Sequence, residues 1–281
     1  MGSSVEQTGY GKAYRHIAAD TINRERNLPK LISSDYYWQR KRREVAKLLE
    51  RNRTRFHGDE VFVELGCGRG RDIWSIRDVL GGGNLSFVCV DANTEALELA
   101  RARKAYHDAK NVNFAECDIT GRLPWEKNAV DIVYSSEVFE HIPNIDALVE
   151  EVARILKPEG HLLLTTPNEP NIFQRSFYSA ERRRKIAEQN AEPERITDDG
   201  TPLYGHVTLK TNNEWDDLLA AHGFGLVDRG RGAVWYGGTG VHENKFILAA
   251  EFLLESVLDS LPRGWVRNVS DQVIALYEKK E

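Results

Sequence analysis

The sequence predicts an α/β fold built on a doubly wound, mostly parallel sheet, and three observations predict it. Short apolar runs that read as strands alternate with longer amphipathic stretches that read as helices. The first run empties into a glycine-spaced turn, Gly66 to Gly70, that opens a helical stretch. The strand-then-helix order then repeats, and such alternation packs as parallel strands with the ligand across their carboxyl ends.

Ser33, Ser34 and Asp35, good capping residues, precede an amphipathic helix from Tyr36 to Asn52 in which Val45, Leu48 and Leu49 lie among many charges. Val61 to Leu65 is a short apolar strand, and the helix beyond the glycines runs to about Leu80. Leu85 to Val90 reads as a second strand, Thr94 to Tyr106 as a helix, Val112 to Cys117 as a third strand and Val130 to Ser135 as a fourth. A helix from Ile145 to Leu156 stops at the turn Lys157, Pro158, Glu159, Gly160, which feeds a fifth strand over His161 to Thr166. The polar segment between Pro167 and about His206, with Arg182, Arg183, Arg184 and Lys185, reads as an insertion. A helix capped near Thr211 ends at Gly223, and Phe224 to Asp228 follows as a strand. A glycine-rich loop, Gly230 to Gly240, leads into an apolar helix from Phe246 to Leu261 that Pro262 stops. Gln272 to Tyr277 reads as a closing strand, antiparallel at or near the sheet edge.

A chain of 281 residues with 41% hydrophobic content can bury one substantial core. One domain over residues 1–281 is expected: a helical cap at 1–58, a cofactor-binding core at 59–166, the insertion at 167–206, and a C-terminal core at 207–281 carrying a lid at about 230–267. A net charge of -5 and a pI near 6.0 argue against a protein that coats nucleic acid. Cys67, Cys89 and Cys117 have no metal-ligand spacing, and their odd number without a secretory leader suggests reduced thiols in a cytoplasm. No apolar run approaches the roughly 18 residues that span a bilayer.

The densest signal is Val61-Phe-Val-Glu64-Leu-Gly66-Cys67-Gly68-Arg-Gly70, a buried strand emptying into a turn whose glycines let backbone amides approach a ligand. Its spacing differs from the dinucleotide loop. Glu64 puts a carboxylate where a diphosphate would be repelled and a cationic aminoacyl sulfonium tolerated, which favours S-adenosylmethionine over NAD. Asp91, with Ala92 behind it, closes the second strand where two ribose hydroxyls can be held, and Asp118 and Ile119 are placed to bracket an adenine. Each acid has a plainer reading, as a helix cap or a turn residue.

With these residues in order, the chain resembles the class I S-adenosylmethionine methyltransferases, particularly small-molecule O-methyltransferases of quinone biosynthesis. The matching positions are Glu64, Gly66, Gly68, Gly70, Asp91, Asp118, Asp131-Ile-Val-Tyr-Ser135-Ser-Glu137, Leu156-Lys-Pro-Glu-Gly160 and Thr165-Thr-Pro-Asn168. The later His206-Val-Thr-Leu and Gly223-Phe224 also fit. The resemblance implies a seven-stranded sheet and methyl transfer.

Glu137-Val-Phe-Glu140-His141 lies just beyond the fourth strand, where acceptors dock in that fold. A helical turn there would bring Glu137, Glu140 and His141 onto one face, a set that suits Mg or another divalent cation, with His206 as a fourth ligand. The pattern resembles the metal site of plant small-RNA 3'-terminal 2'-O-methyltransferases, and a similar Glu-x-x-Glu-His occurs in quinone-pathway O-methyltransferases; the resemblance equally allows a plainer role, since many relatives carry Glu-His here with no recognised metal, to cap or pack the next helix. Without a cation, His141 is the leading general base and His206 the second.

The expected reaction is methylation of a hydroxyl on a small acceptor, a secondary metabolite, glycoside or quinone-like phenol, with release of S-adenosylhomocysteine. RNA 2'-O-methylation and a silent cofactor-binding scaffold are the alternatives. Tyr10, Tyr14, Tyr36, Tyr37, Trp38, Phe173, Phe177, Tyr178, Trp235 and Tyr236 offer aromatic lining. Arg40-Lys-Arg-Arg43 and Arg182-Arg-Arg-Lys185 are able to grip a phosphate, carboxylate or RNA backbone but read first as solvated faces, and the Phe246 to Leu261 helix is open to acceptor covering, a homodimer contact or core closure.

Overall fold

The computed structural model describes residues 36–81, 84–169, 205–233, 245–262 and 269–280, with shorter stretches between them. Tyr10, Tyr14, Phe173, Phe177, Tyr178, Trp235, Tyr236 and the run at 182–185 apart from Arg184 lie outside the described residues, as do the side chains of Tyr36 and Tyr37.

Seven strands form one sheet: β1 (Val61–Leu65), β2 (Ser86–Asp91), β3 (Val112–Glu116), β4 (Val130–Ser136), β5 (Leu156–Pro167), β8 (Phe224–Arg229) and β9 (Gln272–Lys279), in the order β3-β2-β1-β4-β5-β9-β8. Every pairing from β3 to β5 is parallel, and β9 runs antiparallel to both of its neighbours. The chain winds outward from β1 in one direction, then returns to β4 on the other side. That reversal opens a crevice above the carboxyl ends of β1 and β4, where open α/β sheets bind ligands.

The strand period of two divides the core into two layers. Phe62, Phe87, Tyr134 and Leu163 point to one face and pack with α1 (Tyr36–Arg51), α2 (Ile73–Leu80) and α3 (Thr94–His107). Their neighbours Val63, Val133, Leu162 and Leu164 point to the other, against α4 (Ile145–Ile155) and α5 (Asn212–Ala221). α4 buries Ile145, Leu148, Val149, Val152 and Ile155, a stripe at helical spacing. Local chemistry starts the helices as the sequence indicates. Asn93 caps α3 by accepting from the Ala96 amide, and Thr211 and Glu214 form a reciprocal capping box on α5.

Two elements differ from the sequence reading, while a third, the closing strand, agrees with it in lying antiparallel near the sheet edge. The turn Lys157 to Gly160 lies inside a strand that already starts at Leu156: the backbone kinks at Glu159 (φ 62°), and the register with β4 shifts between Val130 and Ile132. The kink folds so tightly that a Cβ on Gly160 would stand 2.8 Å from the Lys157 carbonyl oxygen, so the bulge demands glycine. The sheet edge is β8, because β9 inserts between it and β5. The 167–206 segment contains a hairpin, β6 (Glu194–Ile196) with β7 (Pro202–Tyr204), whose three-residue strands are too short to show a period.

The run Arg40 to Arg43 is a solvated face only in part, with Arg43 exposed and Arg42 half-buried. Arg40 and Lys41 are buried, Arg40 reaching Asp259 (2.6 Å) and Glu255 (3.4 Å) on α6 (Lys245–Asp259). Arg231 pairs with the same two acids, so α1 and α6 are tied through one ion cluster. Among the described residues no helix is long and apolar enough to cross a membrane.

Candidate active site

The glycine loop hooks over the end of β2. The amides of Gly66 and Cys67 both donate to the Val90 carbonyl, at 2.8 and 2.9 Å. Gly66, Gly68 and Gly70 all have positive φ (71°, 50° and 61°), a region that L side chains rarely adopt. Two of them also pack too closely for a side chain: a Cβ on Gly66 would stand 2.3 Å from Val138 Cγ2, and one on Gly70 2.9 Å from the Phe114 ring. A Cβ on Gly68 would meet nothing within 4 Å, so the loop is open there.

Asp91 holds this loop to β2. Its Oδ2 accepts from the Gly68 amide (2.7 Å) and its Oδ1 from the Asn93 amide (2.8 Å), leaving one lone pair on each oxygen for a ribose. Ala92 beside it is exposed. Asp118 is exposed and braced by Thr120, whose amide and hydroxyl both donate to Oδ1, while Ile119 is buried. Burial pushes the Cys67 thiol up, so it stays protonated. Ser135 is fully buried and donates to the Leu65 carbonyl (3.3 Å); strand alternation gives the cavity Ser136 instead.

A cavity of about 300 Å³ opens beside the loop, walled by Glu64, Gly68, Asp72, Ser136 and Glu137. Glu64 is 2% exposed, and its Oε2 has no hydrogen-bond partner among the described residues. Burial, then the neighbouring Asp72, pushes its carboxyl up to about 8. A buried carboxyl with one oxygen unpartnered among the described residues, beside an open amide loop, fits a ligand that brings its own positive charge. Because this folded value lies above the ordinary 4.5, the empty protein favours the protonated form and loses that stability as pH rises from 4.5 through 8. A cationic cofactor favours the carboxylate. S-adenosylmethionine binding at pH 7 should therefore release close to one proton, seen by calorimetry in buffers of different ionisation enthalpy, and affinity should rise up to about tenfold per pH unit between 6 and 7.5. A Glu64→Gln variant that kept the same proton release would refute this assignment.

The segment after β4 packs directly on the loop through the Val138 contact with Gly66. Phe139 is fully buried against Trp215 and anchors a single 3-10 turn, Phe139–His141. The four expected ligands do not all converge. Glu137 adopts φ 54° and leaves the turn, so no helical face carries it with the others; its Oε1 accepts from Thr165 Oγ1 (3.2 Å) and Gln272 Nε2 (3.0 Å). Glu140, His141 and His206 do converge, each offering one ligand atom and all within 4.8 Å of one another. Thr208 holds the His206 segment here, its amide donating to the Glu140 carbonyl and its hydroxyl to the Ile142 carbonyl.

These three side chains are supported by further contacts. Thr166 Oγ1 donates to Glu140 Oε2 (2.9 Å), leaving Oε1 3.8 Å from His141 Nε2. The Gly205 carbonyl lies 3.0 Å from His141 Nδ1, which therefore carries the proton and frees the Nε2 lone pair. His206 Nδ1 is buried with no hydrogen-bond partner among the described residues, and burial together with His141 lowers its pKa to about 4, keeping the ring neutral. Burial and Glu137 push Glu140 above the usual carboxylate range. A braced carboxylate beside two neutral imidazoles is the donor set a divalent cation takes, with hydrogen-bonded partners orienting it.

Lys41, Asp72 and Thr166 escaped the sequence reading. Lys41 lies in the basic run, yet its Nζ meets Asp72 Oδ2 at 2.8 Å, and Asp72 also accepts from Tyr134 Oη (2.8 Å) and Ser136 Oγ (3.1 Å). A signal existed in the strictly helical placement of Lys41 four residues before Val45, the first core position of α1.

The sequence profile of a family described as a methyltransferase domain matches residues 56–223, which contain the glycine loop, Asp91 and the cluster. The chain belongs to the class I S-adenosylmethionine-dependent methyltransferases. This methyltransferase is 28% identical over 112 residues to the mitochondrial ubiquinone biosynthesis O-methyltransferase of Rattus norvegicus, covering 39% of this chain and 31% of that protein. It is 26% identical over 175 residues to the tRNA N(3)-cytidine methyltransferase METTL2 of Bos taurus, covering 59% of this chain and 43% of that protein. The methyltransferase thus spans less than half the length of these curated relatives. Its fold matches a methyltransferase of Haloferax volcanii solved in complex with the Trm112 activator, at 18% identity and a TM-score of 0.58 over 94% of this chain and 96% of the other.

Proposed function

We propose that this methyltransferase moves the methyl group of S-adenosylmethionine to a hydroxyl of a small acceptor, a secondary metabolite, glycoside or quinone-like phenol, with a divalent cation held by Glu140, His141 and His206. The observation that carries this reading is the convergence of those three ligand atoms within 4.8 Å on the turn that packs against the glycine loop. The rat relative, named for O-methylation in ubiquinone biosynthesis, supports a hydroxyl acceptor.

The bound sulfonium supplies an activated methyl group, and a cation at the cluster supplies Lewis acidity that lowers the pKa of a coordinated hydroxyl. The chain's own residues hold the reactants. Glu64 faces the cationic end of the donor, Asp91 the ribose, and Asp118 with Ile119 the adenine. Thr166 and the Gly205 carbonyl fix Glu140 and His141, so a hydroxyl held at the cluster would be oriented at little further entropic cost. Without the cation, His141 Nε2 is the group placed to accept the hydroxyl proton.

The test is methyl transfer from labelled S-adenosylmethionine to catechols, hydroxyquinols, glycosides and tRNA, before and after chelation. Transfer to vicinal hydroxyls that chelation abolishes and Mg, Mn or Zn restores is expected. Transfer indifferent to chelator removes the cation and leaves His141 as base. Transfer to tRNA alone would replace the small acceptor, the reading that the bovine relative favours and the net charge of -5 opposes.

A further inference from the structure

α6 is amphipathic the wrong way round for a helix that closes a core. Its acids turn toward α1: Glu255 is 1% exposed, and with Asp259 it takes up Arg40 and Arg231. Its apolar residues turn outward. Phe246, Leu253, Leu254 and Val257, with Leu261 just past the helix end, keep between 38% and 88% of their surface exposed, and Ala250 is exposed among them. At 3.6 residues per turn the five positions on the helix fall within about 100° of arc, on the side away from Glu255. A continuous apolar stripe facing outward marks a contact surface, unlike apolar residues scattered singly.

We propose that two copies of this chain associate through this stripe, their α6 helices crossing antiparallel about a two-fold axis between Leu253 and Leu254. Spacing points to a second copy as the occupant. Leu253 with Leu254, Ala250 with Val257, and Phe246 with Leu261 are three pairs, and the members of each lie equally far in sequence from that one midpoint. An antiparallel copy of the same helix therefore sets the two members of every pair against each other across the axis, which is the self-complementarity a two-fold contact requires. Charge agrees. None of the six positions carries a charge, and Glu255 and Asp259 are taken up within the chain, so the stripe offers a partner apolar area and no ion pair. Area agrees as well. Five side chains exposed to this degree present roughly 600 Å² per copy, and two copies would cover about 1,200 Å², the lower end of specific interfaces. An interface of that size fits a reversible dimer, and a two-fold contact closes on itself, so assembly stops there.

Sedimentation velocity between about 1 and 200 µM protein should show the 32.0 kDa chain passing reversibly into a species of twice that mass. Leu253→Asp sets carboxylates beside the axis and should weaken association at least about tenfold. Val257→Ser brings no charge and should weaken it about threefold or more. Both positions are exposed in the single chain, so at low concentration each variant should melt within about 3 °C of wild type. A mixture of Leu253→Asp with Leu254→Lys tests the register, because the mirrored pairs set the new carboxylate of one copy against the new ammonium of the other. That mixture should dimerise at least about tenfold more tightly than Leu253→Asp alone. A wild type that keeps the single-chain mass throughout overturns the proposal, as does a dimer that both single variants leave intact. Growth past the dimer also overturns it, since that needs a contact that does not close. If the wild type stays single and the variants lose more than about 5 °C, another part of the same chain covers the stripe. If it stays single and floats with neutral phosphatidylcholine vesicles while Leu253→Asp does not, a lipid surface is the occupant. A mixture no tighter than Leu253→Asp alone overturns the antiparallel register and the two-fold pairing with it.

Discussion

Replacing Gly66 by alanine should weaken S-adenosylhomocysteine binding by about 100-fold or more, equivalent to ~2.7 kcal/mol. Two costs combine. A residue with a Cβ at φ 71° pays roughly 1–2 kcal/mol for the left-handed backbone, and the new methyl would sit 2.3 Å from Val138 Cγ2. Valine is branched at Cβ and stiff about χ1, so it cannot swing aside as a long flexible chain could. The loop or the 137–141 turn must move instead. Gly223 provides the contrast: φ is 83°, nothing lies within 4 Å of its missing Cβ, and it joins α5 to β8 away from the cavity. Gly223→Ala should cost stability in urea denaturation while leaving cofactor affinity within about threefold. The double variant Gly66→Ala with Val138→Ala removes the clash and should recover at least about tenfold of the lost binding. No recovery would show that strain at φ 71° acts alone, and wild-type affinity in the single variant would refute the close packing of loop and turn.

How much of this was legible in the sequence follows from how local each feature is. The alternation of strands and helices, the cap at Thr211, and the glycine loop depend on residues a few positions apart, and the structure agrees with their reading. The turn at Lys157 to Gly160 carried true turn chemistry, but the β4 pairings of Leu156 before it and His161 after it keep that backbone in the ladder as a bulge. Helical spacing puts Lys41 on the core face of α1, but the acids that neutralise Lys41 and Arg40 could not be read locally, because Asp72, Glu255 and Asp259 belong to distant elements. Within the site, Glu140 and His141 adjoin in sequence, whereas His206 is brought to them by the contacts of its neighbours Gly205 and Thr208. Periodicity had no means of revealing that approach; the resemblance to a metal-binding pattern did. The same resemblance placed Glu137 with them, and a left-handed residue at the start of the turn takes it elsewhere.

Glu140→Ala and His206→Ala should each lower kcat by about 100-fold or more while S-adenosylhomocysteine affinity changes less than about threefold. Glu140 contributes a carboxylate that is 1% exposed and braced by Thr166, so no solvent-borne group can take its place. His206, with its pKa lowered to about 4, stays neutral at pH 6, where an ordinary imidazole near 6.5 would be mostly protonated and unable to donate its lone pair. Manganese or zinc retained after gel filtration, counted by mass spectrometry, should therefore persist in the wild type at pH 6 and fall in both variants. Glu137→Gln separates ligation from support. Its carboxylate accepts from Thr165 and Gln272 and stands outside the three-atom cluster, so retained metal should stay at the wild-type level and kcat should drop by no more than about tenfold. If Glu137→Gln instead strips the metal as completely as Glu140→Ala does, the cation is held by a rearranged four-ligand set and the three-residue assignment fails. If none of the three variants alters retained metal but His141→Ala alone abolishes turnover, the cluster acts through its imidazole as a base, with Gly205 fixing the tautomer that leaves Nε2 free to take the proton.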